Sequence, residues 1–261
     1  MSHYLFSGER LKWRLQEVLI DELSVVVFGD DMTLPNGITM HNPTITEIKK
    51  FGHLNYIALV QLITMRSYDT AVELWDNGIS YKDVPDFLVF INNMKNLTVD
   101  FTRIIFGDLD FSKFETSVDQ QNLGLVFTNG DITIDELVYR DIVEFVRGIN
   151  YINPKVEFDV GNNQSLKFLV ERMRRKQKKN AKKKSTPFLA NVISSMVCRA
   201  DFPYDYNTIQ DIHISQLYNG FYRVEKHDTS HYLTTAIYAG TVSKKDISNS
   251  LLTWYGDLNK E

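Results

Sequence analysis

The feature that most constrains the fold of this chain is a run of basic residues. Between positions 172 and 184 it contains nine cations and no acidic residue: Arg172, Arg174, Arg175, Lys176, Lys178, Lys179, Lys182, Lys183 and Lys184. The helical segment that leads into this run should be anchored by Leu166, Phe168, Leu169 and Met173. Between Met173 and Pro187 the only apolar residue is Ala181, so this stretch cannot line a hydrophobic core. We therefore expect a basic arm, residues 171–184, whose outer half projects into solvent or onto an acidic partner.

The basic arm leaves the rest of the molecule acidic. The chain carries 29 Lys and Arg against 33 Asp and Glu, a net charge of −4. When the nine cations of the arm are set aside, 20 bases face 33 acids, a balance of about −13. The sequence thus predicts an acidic body with one basic arm.

Composition places the rest of the chain among ordinary globular proteins. Hydrophobic residues make up 43% of the 261 positions, enough for a large core. The longest apolar stretch, 18–28, is interrupted by Asp21 and Glu22, so we expect no membrane span. The start, 1–14, is polar and charged without an apolar segment, which argues against a secretory signal. The single cysteine, Cys198, fits a reducing cytosol, and its apolar neighbours favour core packing over a reactive thiol.

Periodicity and capping signals predict mostly helices. Thr44 and Glu47 have the spacing of a capping box at the start of the first confident helix, with Gly52 as a weak point in it. Further helices are predicted at about 68–75, 84–94, in two pieces over 101–114, from Thr133 or Asp135 to about 148, at 164–184, 188–197, 208 or 215 to 225, 230–239 and 244–255.

Two regions carry β-hairpin signals. Asn129-Gly130 lies between alternating apolar residues over 123–134 and favours a hairpin with a type I′ turn. The segments 23–28 and 38–40 flank a turn-rich stretch that predicts a short hairpin or a long loop. The expected class is α+β, predominantly α-helical, with one or two short β-hairpins and a projecting basic helix. We divide it into a mixed region, 1–160, and a helical region, 161–261, which together could also form a single domain.

Catalytic motifs are missing from the sequence. The 13 glycines form neither a phosphate-binding loop nor a dinucleotide fingerprint, and no nucleophile elbow is present. The six histidines lack zinc-ligand spacing, and His227 and His231 are interpreted as a surface pair. Asp108 and Asp110 are interpreted as a structural turn. We therefore predict no enzymatic activity, no metal and no cofactor, although an enzyme built from dispersed residues stays an alternative.

The basic arm has several interpretations. Nine cations attract polyanions, so RNA or DNA could bind through phosphate contacts. The run 172–184 has no Phe, Tyr or Trp, and binding of this kind would be independent of sequence. The alternatives are an acidic protein partner, contact with the acidic body of the same chain, and a plain solvated helix face. Membrane attachment is disfavoured because the arm lacks an apolar face.

Four short segments carry a resemblance to a known group of proteins. They are 43–48 (PTITEI), 76–81 (DNGISY), 106–111 (FGDLDF) and 237–240 (IYAG). The chain from about residue 40 onwards resembles proteins from the tail gene modules of phages and prophages of Gram-positive bacteria, including tail assembly chaperones. Such chaperones are commonly smaller and often made as a frameshifted pair, so the length of this chain leaves a structural virion component open.

The resemblance implies a function in virion morphogenesis. We expect a non-enzymatic phage tail assembly protein that binds tape-measure or tube subunits, acting in the host cytoplasm or remaining in the virion. The nine cations of the arm are the expected contact residues, and a homo-oligomer is compatible with this interpretation. The alternative is a sequence-independent nucleic-acid-binding accessory protein that acts through the same arm.

Overall fold

The structure is a computed structural model that describes residues 23–119, 124–154, 156–158, 160–181, 188–256 and 258. Over these ranges the fold is predominantly α-helical and contains one antiparallel sheet of two strands and one of three. The predicted fold class is therefore confirmed.

The elements follow one another along the chain in short segments. The strands are β1 (Met32–Thr33), β2 (Thr39–Met40), β3 (Glu115–Val118), β4 (Leu125–Thr128) and β5 (Thr133–Ile134). The first helices are α1 (Ile45–Phe51), α2 (His53–Thr64), α3 (Ala71–Asp76), α4 (Asp86–Met94), α5 (Val99–Phe106) and α6 (Glu136–Asn150). The later helices are α7 (Asn163–Ala181), α8 (Phe188–Val197), α9 (Ile214–Tyr238) and α10 (Asn249–Leu252).

The first helix begins as its sequence predicts. The Thr44 hydroxyl accepts from the backbone N–H of Glu47 at 3.3 Å, and the Glu47 carboxylate accepts from the backbone N–H of Thr44 at 2.7 Å. This reciprocal pair is a complete capping box. Gly52 has φ 93°, a left-handed conformation that separates α1 from α2, so the predicted weak point is a real break.

The predicted hairpin at Asn129-Gly130 is present as β4 and β5, but its turn type was wrong. Thr128 pairs with Thr133, which leaves a loop of four residues instead of two. A type I′ turn would need a positive φ at Asn129, and among the described residues only Tyr151 has one outside glycine. The Asn129 side chain instead accepts from the backbone N–H groups of Asp131 and Ile132, at 3.1 and 2.9 Å, as in an Asx turn.

The segment 23–28 forms a single π-helical turn, and the short hairpin predicted for the stretch that it and 38–40 flank is confirmed. The hairpin of this region lies further on, where β1 pairs with β2. The π-turn packs on the start of α9 because the carbonyl of Val25 accepts from the Ser215 hydroxyl at 3.1 Å and from the Asn42 side chain at 2.9 Å. Long-range contacts of this kind leave no local trace in sequence.

The last long helix is also longer than predicted. α9 runs through 25 residues, including the polar stretch 226–230 where the sequence suggested a gap between two helices. Two contacts support the helix there, since Asp228 accepts from Arg199 at 2.7 Å and the Ser230 hydroxyl donates to the carbonyl of Leu252 at 2.8 Å. α10 packs on α9. Gly240, with φ 71°, follows shortly after the end of α9.

One main core joins the two halves of the chain. α2 packs on α4 and α6, and α9 packs on α6 and on the π-turn. Buried residues from both predicted regions share the cluster, for example Phe90 and Ile142 with Leu189 and Leu217. Backbone hydrogen bonds add to it, because Ile214 N–H donates to the carbonyl of Pro43 at 2.9 Å.

Candidate functional site: the basic arm

A second, smaller core fixes the root of the arm. α7 packs on α3, and their apolar side chains form a cluster separate from the main core. Its buried members are Tyr68, Ala71, Val72, Tyr81, Leu166, Leu169 and Val170, and Met173 lies partly buried against them. The predicted anchors Leu166, Leu169 and Met173 are thus confirmed. Phe168 was predicted as a fourth anchor, and this was wrong because its side chain is 69% exposed.

Polar contacts strengthen the same root. Arg174 pairs with Asp76 at the end of α3 and with Glu171 at 3.4 Å on its own helix. The Lys82 ammonium donates to the carbonyl of Val160 at 2.7 Å, just before α7 begins. Arg174 is therefore engaged inside the molecule, and its guanidinium helps to hold the arm against α3.

The outer half of the arm lies in solvent. Arg175, Lys176, Lys178 and Lys179 are all exposed, and no ion pair to any of the four is found among the residues that the structure describes. The remaining three predicted contact residues, Lys182, Lys183 and Lys184, lie outside the described residues. The four exposed cations lie on a helix whose inner end is packed on α3, and their N–H groups point into solvent.

Two exposed aromatic side chains, Phe158 and Phe168, belong to the inner end of the arm, and neither was predicted from the sequence as part of a contact surface. The guanidinium of Arg172 lies over the ring of Phe158, 5.2 Å from its centroid, while that ring is 52% exposed. Phe168 precedes Arg172 by four residues and therefore lies on the same face of α7. The exposure of Phe168 could have been predicted from the sequence, because helical spacing puts it on the opposite side of the helix from Leu166, Leu169 and Val170. Phe158 is brought in by the chain before α7 and could not be placed by spacing.

The other candidate groups have structural roles or no common site. Asp108 pairs with Arg103 at 3.0 Å, and Asp110 accepts from the hydroxyl of Ser112 at 2.6 Å, so the interpretation as a structural turn is confirmed. The hydrogen bond from Ser112, together with Lys113, holds the pKa of Asp110 below its usual value.

His227 and His231 share one face of α9, with parallel rings 6.4 Å apart. Within the described part of the chain, no group of three or more His, Cys, Asp and Glu side chains could hold a metal ion. Cys198 is exposed beside Tyr206, so its assignment to the core was wrong. It follows the last buried residue of α8, Met196, by two positions and therefore turns away from the core.

One open cleft of about 250 Å³ lies between the start of α4 and the outer face of α6. Its charged side chains are largely engaged: Arg140 pairs with Glu136 at 2.5 Å, Asp86 accepts from the Ser67 hydroxyl at 2.8 Å, and Arg147 donates to the carbonyl of Thr64 at 3.0 Å. Burial, with the charge of Asp86, raises the pKa of Tyr139 to about 12. We therefore interpret these lining residues as structural, because their charged groups bind other parts of the protein.

A family model matches part of the chain. Residues 177–259 match the family model described as the YomV second domain, a family of Bacillus phage and prophage type. The matched segment begins within the arm and contains α8, α9 and α10. It is consistent with a phage protein. No curated protein and no solved structure matches the chain. In the described ranges, no helix combines the length and the apolar character that crossing a membrane requires.

Proposed function

We propose that this chain is a non-enzymatic phage tail assembly protein that binds other tail components, with the basic arm as its contact element. The partner is a tape-measure or tube subunit, bound either as a chaperone binds its client or as a structural neighbour. The resemblance of four segments to tail-module proteins supports this assignment, and the match to a phage-type family is compatible with it.

The observation that carries the proposal is the contrast between the two halves of α7. Its root is packed on α3 and held by the Arg174–Asp76 pair, whereas Arg175, Lys176, Lys178 and Lys179 stand exposed without a described partner. A helix that is already ordered loses little conformational entropy when it binds, so its cations are preorganised for an anionic surface.

Affinity chromatography from prophage-induced cells tests the proposal. The tagged protein is captured after nuclease treatment, and the bound proteins are identified by mass spectrometry. We expect tail proteins to remain bound, and a variant with Gln at Arg175, Lys176, Lys178 and Lys179 to lose them. A control variant with Gln at Lys50, Lys95, Lys244 and Lys245, which are also exposed, carries the same charge change and should keep them.

Co-expression with the tape-measure protein gives a second test of the same proposal. An assembly chaperone should co-purify with that protein and raise its soluble fraction. If neither effect occurs, and if no tail protein survives nuclease treatment in the capture experiment, the assembly function is contradicted.

The second candidate is a sequence-independent nucleic-acid-binding accessory protein, favoured by the aromatic rings beside the arm. Phosphate contacts predict that the logarithm of the binding constant falls with the logarithm of salt by roughly 0.9 for each phosphate neutralised on duplex DNA. Replacing the four exposed cations of the arm by Gln should flatten this dependence. An unchanged slope in that variant would mean that the phosphates contact residues other than these four cations.

A further inference from the structure

One face of α7 combines exposed cations with exposed aromatic rings. Phe168, Arg172, Arg175 and Lys179 follow one another at helical spacings of four, three and four residues, which places them in one row. The row extends over about 16 Å of helix, at 1.5 Å per residue. Leu166, Leu169 and Val170 occupy the opposite side and are buried against α3. The row is therefore turned outward by the packing of its own helix.

Phe158 widens this row at its inner end. Its ring lies beside Arg172 and keeps half of its surface in solvent, and Phe168 is exposed to 69%. Exposed rings next to a row of cations have the composition of a binding surface, because water solvates the rings poorly and the cations well.

We infer that this row, with Phe158, binds single-stranded nucleic acid. Base faces are available for stacking only where bases are unpaired, while the phosphates of the same strand can reach the cations further along the helix. Arg172 serves both purposes, since its guanidinium already lies over an aromatic ring and keeps its donors for phosphate oxygens. The inference deepens the second candidate function and rests on it.

Duplex DNA and an acidic protein would use this surface differently. A duplex keeps its base faces inside the stack, so it would contact the cations and leave both rings in solvent. An acidic protein surface would likewise satisfy Arg175 and Lys179 without a specific use for the ring faces. The rings therefore distinguish the three partners, and substitution of either phenylalanine leaves all the cations of the arm in the sequence.

The test compares an oligothymidylate with a duplex of the same length by fluorescence anisotropy on the full-length protein. We expect the single strand to bind more tightly. The variants Phe158→Ala and Phe168→Ala should each weaken single-strand binding by roughly fivefold or more, the range expected for one base–aromatic stack. Duplex affinity and the salt dependence of both should stay unchanged, because the phosphate contacts remain.

Tyr238→Ala is the matched control, because it removes an 88% exposed ring from the far end of α9 and should change neither affinity. Circular dichroism checks that the variants fold, which we expect since both Phe side chains lie on the surface. Equal binding of single strand and duplex, or an equal loss for both in the Phe variants, would overturn the single-strand inference and leave the arm as a plain phosphate binder. If neither polymer binds at low salt, the nucleic-acid function itself fails.

Discussion

Asn42 is the clearest case of a single residue that joins distant parts of the chain. Its side chain is fully buried and donates to the carbonyl of Val25 at 2.9 Å and to the Ser215 hydroxyl at 2.8 Å. Its backbone N–H donates to the carboxylate of Asp31 at 2.8 Å. The π-turn, the second strand and α9 therefore meet at one amide group. Buried polar groups need such partners, because losing one leaves the other desolvated.

We expect Asn42→Ala to lower the free energy of unfolding by about 1–3 kcal/mol, because the variant loses two buried hydrogen bonds of about 0.5–1.5 kcal/mol each. Chemical denaturation of the full chain measures the change. Asn92→Ala serves as the control, since this asparagine is exposed on α4 and its loss should change stability by no more than about 0.5 kcal/mol. Similar values for the two variants would contradict the structural role of Asn42.

His41 makes the stability of the same region depend on pH. Burial alone would lower its pKa, but hydrogen bonds to Asp31 at 2.8 Å and to Glu47 at 3.1 Å outweigh burial and raise the pKa above 6.5. Because the folded pKa is raised, the stabilisation is fully present below the unfolded value and is lost as pH rises through the folded value. The loss should therefore occur above about pH 6.5.

Denaturation of the wild type and of His41→Gln at a series of pH values checks this expectation. The wild type should lose more stability than the variant as pH rises above about 6.5, because only the wild type releases this proton. His231→Gln, at an exposed position without a described carboxylate partner, should keep the wild-type slope. Parallel curves for the wild type and His41→Gln would show that the ion pairs do not contribute.

At the scale of elements, apolar packing should hold the arm more firmly than its ion pair does. Leu166 is 5% exposed in the smaller core, whereas the side chains of Arg174 and Asp76 are 29% and 57% exposed. We expect Leu166→Ala to destabilise the docking of α7 by about 2–5 kcal/mol. Arg174→Gln should cost about 1 kcal/mol or less, because water screens a pair of this exposure.

Hydrogen exchange of the amides at the root of α7 measures both effects locally. Amides of residues 166–173 should exchange much faster in Leu166→Ala than in the wild type, and only slightly faster in Arg174→Gln. The reverse order would mean that electrostatic contacts fix the direction of the arm.

Local signals predicted most of these elements, and long-range contacts account for the errors. The Thr44–Glu47 cap, the break at Gly52 and the hairpin at Asn129-Gly130 depend on neighbouring residues, and all three are present. The polar stretch 226–230 became helical because Arg199 and Leu252, distant in sequence, supply its partners. Within the candidate site, the cations and three anchors of the arm were predictable from periodicity. Phe158 was not, because only the folded chain brings it beside Arg172.

At the scale of the whole molecule, the two predicted regions share one core. Leu189, Val192 and Leu217 belong to the same buried cluster as residues of α2, α4 and α6. Backbone hydrogen bonds cross between the regions as well, from Ile45 to the carbonyl of Ile212 at 3.1 Å and from Ile214 to that of Pro43 at 2.9 Å. The family match over residues 177–259 therefore covers a segment whose apolar side chains are covered by the preceding half of the chain.

We expect the full chain to unfold in one cooperative transition and the fragment 161–261 to remain without fixed tertiary structure. The isolated fragment would expose the apolar face of α9 that now lies against α6 and the π-turn, since both of these elements belong to the other piece. Heteronuclear NMR spectra of the fragment should therefore be poorly dispersed. Co-expression with 1–160 should restore dispersion, because the two pieces together contain the whole core. A dispersed spectrum and cooperative unfolding of 161–261 alone would instead establish it as an independent domain and the division at residue 160 as a true domain boundary.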